Sequence, residues 1–171
     1  MRRHLLLVRH AKSSWDDPAM ADHDRPLSSR GQEALALMRG HLAGGANRPD
    51  LVLCSSARRA VDTLDGLRPA LGEGALIEVD PALYEMTDRG LLGRLQGLDE
   101  PACAMVVAHN PYLQMLASSL AGHGDAEARQ QVGVKFPTGA IVTLSFDGEW
   151  ADLEPGVASA DDLFMPRAPR S

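Results

Sequence analysis

The chain has 171 residues, 44% of them hydrophobic and 23% charged, with a formal net charge of -6. These proportions are those of one folded domain of ordinary size, and they exclude both a disordered chain and the global positive field that holds nucleic acid or an anionic membrane. The apolar run at residues 5–8 is shorter than the roughly 7–15-residue core of a signal peptide, and no stretch approaches the ~18 apolar residues of a membrane span, so a cytoplasmic location is expected.

Leu5-Leu6-Leu7-Val8 has the continuous apolar pattern of a strand covered on both faces in a parallel sheet. A polar, Asp-rich loop spans residues 16–25. Ser29 stands before Gln32 at capping-box spacing, which predicts a helix from there to about Leu42, ended by Gly44-Gly45. Leu51-Val52-Leu53-Cys54 repeats the strand pattern, and Ala57, Ala60, Val61, Leu64 and Leu67 then recur at helical spacing. A third strand is expected at residues 76–79, followed by a loop through Tyr84-Glu85 and a helix over about 91–95. Residues 104–108 read as a fourth buried strand, broken at His109-Asn110-Pro111, where proline suits the first turn of a helix through Leu113, Leu116 and Leu120. Residues 139–144 and 149–153 flank Asp147-Gly148, a strong hairpin turn.

Strands alternating with helices predict an α/β layered fold with a mostly parallel sheet and an antiparallel edge hairpin. Residues 1–155 read as a single domain. Residues 156–171, with Pro166, Pro169 and scattered charge, read as a loosely ordered C-terminal tail.

Three of the strand runs end in polar, mostly basic residues: Val8 leads into Arg9-His10, Cys54 into Ser55 and then Arg59, and Ala108 into His109-Asn110. In a parallel α/β sheet such carboxyl ends face one crevice, where ligands bind. Two histidines and two arginines meeting there in an acidic protein form an anion site, because guanidinium forks match phosphate oxygens. Helix starts near Ser13, Ser56 and Pro111 are expected to add backbone N–H donors. Arginines beside paired histidines repel a cation, and neither an HxH nor an HExxH string occurs, so no metal or other cofactor is expected. Cys54 and Cys103 lie within or beside apolar runs without ligand spacing and read as buried reduced thiols.

The string Leu6-Leu7-Val8-Arg9-His10-Ala11 resembles the strand-one Arg-His-Gly motif of the histidine phosphatase superfamily, with Ala11 in place of the usual glycine. Asp24-Arg25-Pro26-Leu27-Ser28 with Gly31 is similar to the family's second block. Ser55-Ser56-Ala57-Arg58-Arg59-Ala60 with Thr63 resembles the third, an alignment that selects Arg59 over Arg58. Val106-Val107-Ala108-His109-Asn110-Pro111 resembles the second histidine block in the form typical of SixA-type phosphohistidine phosphatases, as does Thr138-Gly139-Ala140 before a strand.

The resemblance implies a phosphoglycerate mutase-like, three-layer α/β/α sandwich. It also implies a two-step transfer in which neutral His10 attacks phosphorus and water then hydrolyses the phosphohistidine. Arg9, Arg59 and His109 would hold the phosphoryl oxygens, with Ser13 and Asn110 as further phosphate-binding residues. The arginines are expected to lower the pKa of His10. Glu85 matches the position where many members carry a proton donor. The implied substrate is a phosphorylated protein bearing phosphohistidine, with a small phosphate ester as the alternative and a non-catalytic phosphoprotein-binding module as the reading from another class.

Overall fold

The computed structural model describes residues 1–166. Its centre is the first apolar run. Strand β1 (Arg2–Arg9) sends Leu5 and Leu7 into one core and Leu6 and Val8 into the other, as the two-residue period of a strand dictates. Covering both faces takes helices on both. On the Leu6 side lie α1 (Ser29–Gly44) and α2 (Arg58–Leu67). On the Leu5 side lie α3 (Asp88–Gln96), α4 (Tyr112–Leu120) and α5 (Ala126–Val134).

The remaining strands are β2 (Leu51–Ser55), β3 (Leu76–Asp80), β4 (Cys103–Ala108), β5 (Ala121–Gly124), β6 (Ile141–Asp147) and β7 (Ala158–Phe164). They form one seven-stranded sheet in the order β3-β2-β4-β1-β6-β7-β5. The first four are mutually parallel, and β6 runs antiparallel to both β1 and β7. This is the expected layered α/β fold with a mixed sheet.

Local differences from the sequence reading have physical causes. The cap of α1 is Ser28, one residue earlier than expected, and its hydroxyl accepts the Gly31 N–H. Asp147-Gly148 does turn the chain, but residues 149–153 form no strand. Trp150 and Leu153 are fully buried three residues apart, the spacing of the 3-10 turn Trp150–Asp152, and the indole N–H donates to the Pro101 carbonyl.

On the side away from β1 the antiparallel partner of β6 is instead β7, inside the segment expected to be a loosely ordered tail; residues 167–171 of that segment lie outside the described residues. A register shift pairs Thr143 with Asp162 and Leu144 with Ala160, so Asp161 is an extra residue that breaks the alternation along β7. Strand β5 has the sequence Ala-Gly-His-Gly and carries no strand propensity of its own. Cys54 and Cys103 are buried free thiols, each pushed up to about 12, chiefly by burial. Among the described residues no helix is long and apolar enough to cross a membrane.

Candidate active site

Because β2, β4 and β1 are parallel neighbours, their carboxyl ends lie side by side. Arg9 and Ser55 are the last residues of β1 and β2, and His109 follows the last residue of β4. An open cleft of about 270 Å³ forms there, lined by Arg9, His10, Ser13, Arg59, His109 and Asn110, with Asp22, Arg25 and Trp15 along its wall.

The loop carrying His10 is anchored from several directions. The Ala11 N–H donates to the Thr63 hydroxyl at 3.0 Å, and that hydroxyl donates to the Arg59 carbonyl, tying the loop to α2. Gly139, at φ +81°, donates its N–H to the carbonyls of both Arg9 and His10 at 3.0 Å. Lys12 lies so close to the start of α1 that any Cβ at Gly31 would collide with its carbonyl oxygen. Gly31 and Gly139 belong to the motif blocks for these steric reasons.

The two histidine rings are 5.1 Å apart between centroids. Nδ1 of His10 lies 2.7 Å from the Ala11 carbonyl oxygen, which can only accept, so Nδ1 carries the proton and Nε2 of the neutral ring keeps its lone pair. Burial, more than the charges of His109, Arg59 and Arg9, lowers the His10 pKa to about 3. The direction is the expected one, with burial as the larger cause. His109 is pushed down to about 4, first by burial and then by Arg59. Its Nε2 meets the Ser55 hydroxyl at 2.7 Å, while its buried Nδ1 has no partner among the described residues.

Arg9 gives Nη1 to the Phe136 carbonyl at 3.1 Å, and its buried Nε is likewise unpartnered. Asn110 donates to the same carbonyl and accepts the Gln114 N–H, so its amide braces the loop beneath the cleft. The Ser13 hydroxyl is buried and accepts from Arg25 Nη2 at 2.8 Å. No helix starts at Ser13, which forms an isolated bridge with Leu27; α2 and α4 do start beside the cleft, capped at Ala57 and Pro111.

Arg59 points both terminal nitrogens at Asp22. Nη1 donates to its carbonyl at 2.8 Å and Nη2 to Oδ2 at 3.1 Å. The Tyr84 hydroxyl also donates to Oδ2, and this bond, ahead of the Arg59 charge, holds the Asp22 carboxyl below the usual range. Arg25 lies across the Trp15 ring at 3.0 Å from its centroid. Glu85 is exposed and is not among the residues lining the cleft.

Asp22 and Tyr84 escaped the sequence reading. Asp22 is one of several carboxylates in its loop with nothing in the sequence to single it out, and Tyr84 stands beside the acidic Glu85 that the motif points to. The described residues contain no group of three or more His, Cys, Asp or Glu able to hold a metal.

Two neutral histidines and two arginines gathered at the ends of neighbouring parallel strands make this an α/β protein with a cationic cleft suited to an anion. The chain belongs to the histidine phosphatase superfamily (branch 1), whose family model matches residues 5–104. It is 36% identical to the uncharacterized protein Rv1276c of Mycobacterium tuberculosis over 163 residues, covering 94% of this chain and all of that one. It is 29% identical to phosphohistidine phosphatase SixA of Escherichia coli over 146 residues, covering 84% and 85% of the two chains. The solved structure of the protein histidine phosphatase SixA complexed with tungstate superimposes with a TM-score of 0.73 at 25% identity, covering 95% and 97%. The protein is SixA-like within its superfamily.

Proposed function

We propose that this protein is a phosphatase that takes a phosphoryl group onto Nε2 of His10 and releases it to water, and that its substrate is phosphohistidine on a partner protein. The observation that carries the reading is the His10 Nδ1–H to Ala11 carbonyl bond, which leaves the lone pair on the cleft-side nitrogen of a buried, neutral ring. In the first step that lone pair forms the N–P bond while the bond to the leaving group breaks. In the second, a water oxygen bonds to phosphorus, the P–N electron pair returns to Nε2, and the water's proton leaves with the product or to solvent.

The donors left over at the site support this assignment. Among the described residues, Nε of Arg9 and Nδ1 of His109, a donor when Nε2 accepts the Ser55 hydroxyl, are buried without partners, a condition costing on the order of 1–3 kcal/mol each, and phosphoryl oxygens would satisfy them. Arg9, Arg59, His109 and Ser13 are accordingly the binding set, with Asn110 holding the Phe136 carbonyl that Arg9 uses.

Phosphohistidine is favoured over an alkyl ester because the lone carboxylate lining the cleft among the described residues, Asp22, is held ionised and has no proton to give a departing alkoxide. An imidazole leaves without that help. The resemblance to SixA chains points the same way.

Rapid-quench intact-mass analysis of the protein mixed with a phosphohistidine protein is expected to show a transient adduct of one phosphoryl group, acid-labile and mapping to His10. His10→Ala should show neither adduct nor turnover. Turnover at the wild-type rate by His10→Ala would end the reading.

A further inference from the structure

A carboxylate in the wall of a phosphoryl cleft is an anomaly, since it repels the group the cleft binds. Part of the role of Asp22 is clear: its main-chain carbonyl and Oδ2 hold Arg59, and Oδ2 also takes the Tyr84 hydroxyl. That accounts for one carboxylate oxygen. Oδ1 makes no hydrogen bond; its nearest cation is Arg25 Nε at 3.5 Å, a nitrogen with no hydrogen-bond partner. The Asp22 side chain is 53% exposed and lines the cleft, and among the described residues Oδ1 carries the Arg25 ion pair but accepts no hydrogen bond.

The placement of this oxygen is informative. Tyr84, which holds the carboxylate, meets the His109 ring edge-on at 5.7 Å, and His109 in turn lies 5.1 Å from His10. Asp22 is thus linked to the attacking imidazole through Tyr84 and His109 and lines the same cleft. In-line displacement at phosphorus sends the leaving group away from the nucleophile.

We infer that Asp22 sets the substrate preference of the cleft, with Oδ1 accepting the ring N–H of the imidazole from which the phosphoryl group is taken. This deepens the proposed function and rests on it. An imidazole phosphorylated on one nitrogen carries a proton on the other when it is in its cationic form, and that N–H is a donor no serine or threonine phosphate offers. A charge-assisted bond to the carboxylate favours the cationic ring. When the P–N bond breaks, its electron pair goes to the departing nitrogen and the ring leaves as neutral imidazole, keeping the proton that Asp22 holds. The carboxylate thus compensates for repelling phosphate by selecting a positively charged carrier, which serine and threonine phosphates are not.

The test compares kcat/KM for N-phosphohistidine and for p-nitrophenyl phosphate in wild type, Asp22→Asn and Tyr84→Phe. Asp22→Asn should slow both substrates, because Arg59 loses a partner, but it should slow phosphohistidine about tenfold more. Tyr84→Phe keeps the carboxylate, and the ratio of the two substrates should stay at the wild-type value. An unchanged ratio in Asp22→Asn, or equal shifts of the ratio in the two variants, overturns the inference and leaves the proposed function standing. A wild-type protein that cleaves the ester through His10 but never phosphohistidine overturns both.

Discussion

Two arginines at opposite ends of β1, Arg3 buried and Arg9 half-buried, make different use of their guanidinium groups. Arg3, 3% exposed, donates Nε to the Gly148 carbonyl, Nη1 to the Pro101 carbonyl and Nη2 to Glu149 at 2.7 Å. Every nitrogen of its fork is bonded, and it ties the start of the strand to the turn after β6 and to the loop before β4. Arg9 spends one nitrogen on the Phe136 carbonyl and keeps a buried Nε free, while burial and then the nearby charge of Arg59 pull its pKa below the ordinary value. A cation at least partly withdrawn from water is common to both ends. What separates them is engagement: every Arg3 nitrogen is bonded to the fold, and the other end holds like charges together where an anion would relieve them.

Exchanging the charge for an apolar chain of similar length sharpens the contrast. Arg9→Met should lower kcat/KM by about 10²–10³, the scale of losing one preorganised donor to a phosphoryl oxygen, with little loss of stability. Arg3→Met should do the reverse. It removes the Arg3 donor from the Gly148 carbonyl and Glu149 and one of two donors from the Pro101 carbonyl, costing about 1–3 kcal/mol in a denaturant melt, with steady-state constants close to wild type. If Arg3→Met proves as damaging to turnover as Arg9→Met, engagement is no guide to role in this protein.

The histidines extend the contrast to pH. Both site rings are depressed below the unfolded value near 6.5, His10 to about 3 and His109 to about 4. Depressed folded values mean that the unfolded chain takes up protons as pH falls through 6.5 while the folded chain does not. The stability these groups contribute is present above pH 6.5 and is lost progressively from there down to about pH 3. Each unit of that window is expected to remove up to about 1.4 kcal/mol per histidine. Urea melts of wild type and His10→Gln at pH 7, 6, 5 and 4 should therefore converge as pH falls, because the variant lacks one of the two titrations. Parallel curves would show that His10 is protonated as readily in the folded protein as out of it.

How much of this was legible in the sequence follows from how local each cause is. Arg9, His10, Arg59 and His109 could be placed together because unbroken apolar runs define β1, β2 and β4, and parallel neighbours align their ends without reference to any loop. The far side of the sheet resisted for the opposite reason. Asp147-Gly148 is a true turn signal, yet the chain after it is taken out of the sheet by the buried Trp150 and by Arg3 bonding to Gly148 and Glu149, residues nearly the whole chain apart. The bulge at Asp161 then hides β7 behind two adjacent aspartates. Within the site, backbone anchors such as Gly31 and Gly139 could be seen in motifs, but their partners, the carbonyls of Lys12, Arg9 and His10, have no residue type and leave no trace in sequence.

Glu85 is where these two kinds of information conflict. Sequence alignment of blocks places a carboxylate after Leu83-Tyr84 where a proton donor is expected, but the chain there ends a 3-10 turn, and the turn directs Tyr84 at Asp22 while Glu85 stays exposed. A donor must come within about 3 Å of the departing atom, and Glu85 is absent from the cleft lining. Glu85→Gln is accordingly expected to leave kcat/KM for phosphohistidine unchanged. It should also leave unchanged an alkyl phosphate whose poor leaving group would expose any loss of acid catalysis. A selective fall on the alkyl ester alone would mean that residues 85–87 swing over the cleft when substrate binds, giving this region two arrangements where Arg3 and its partners have one.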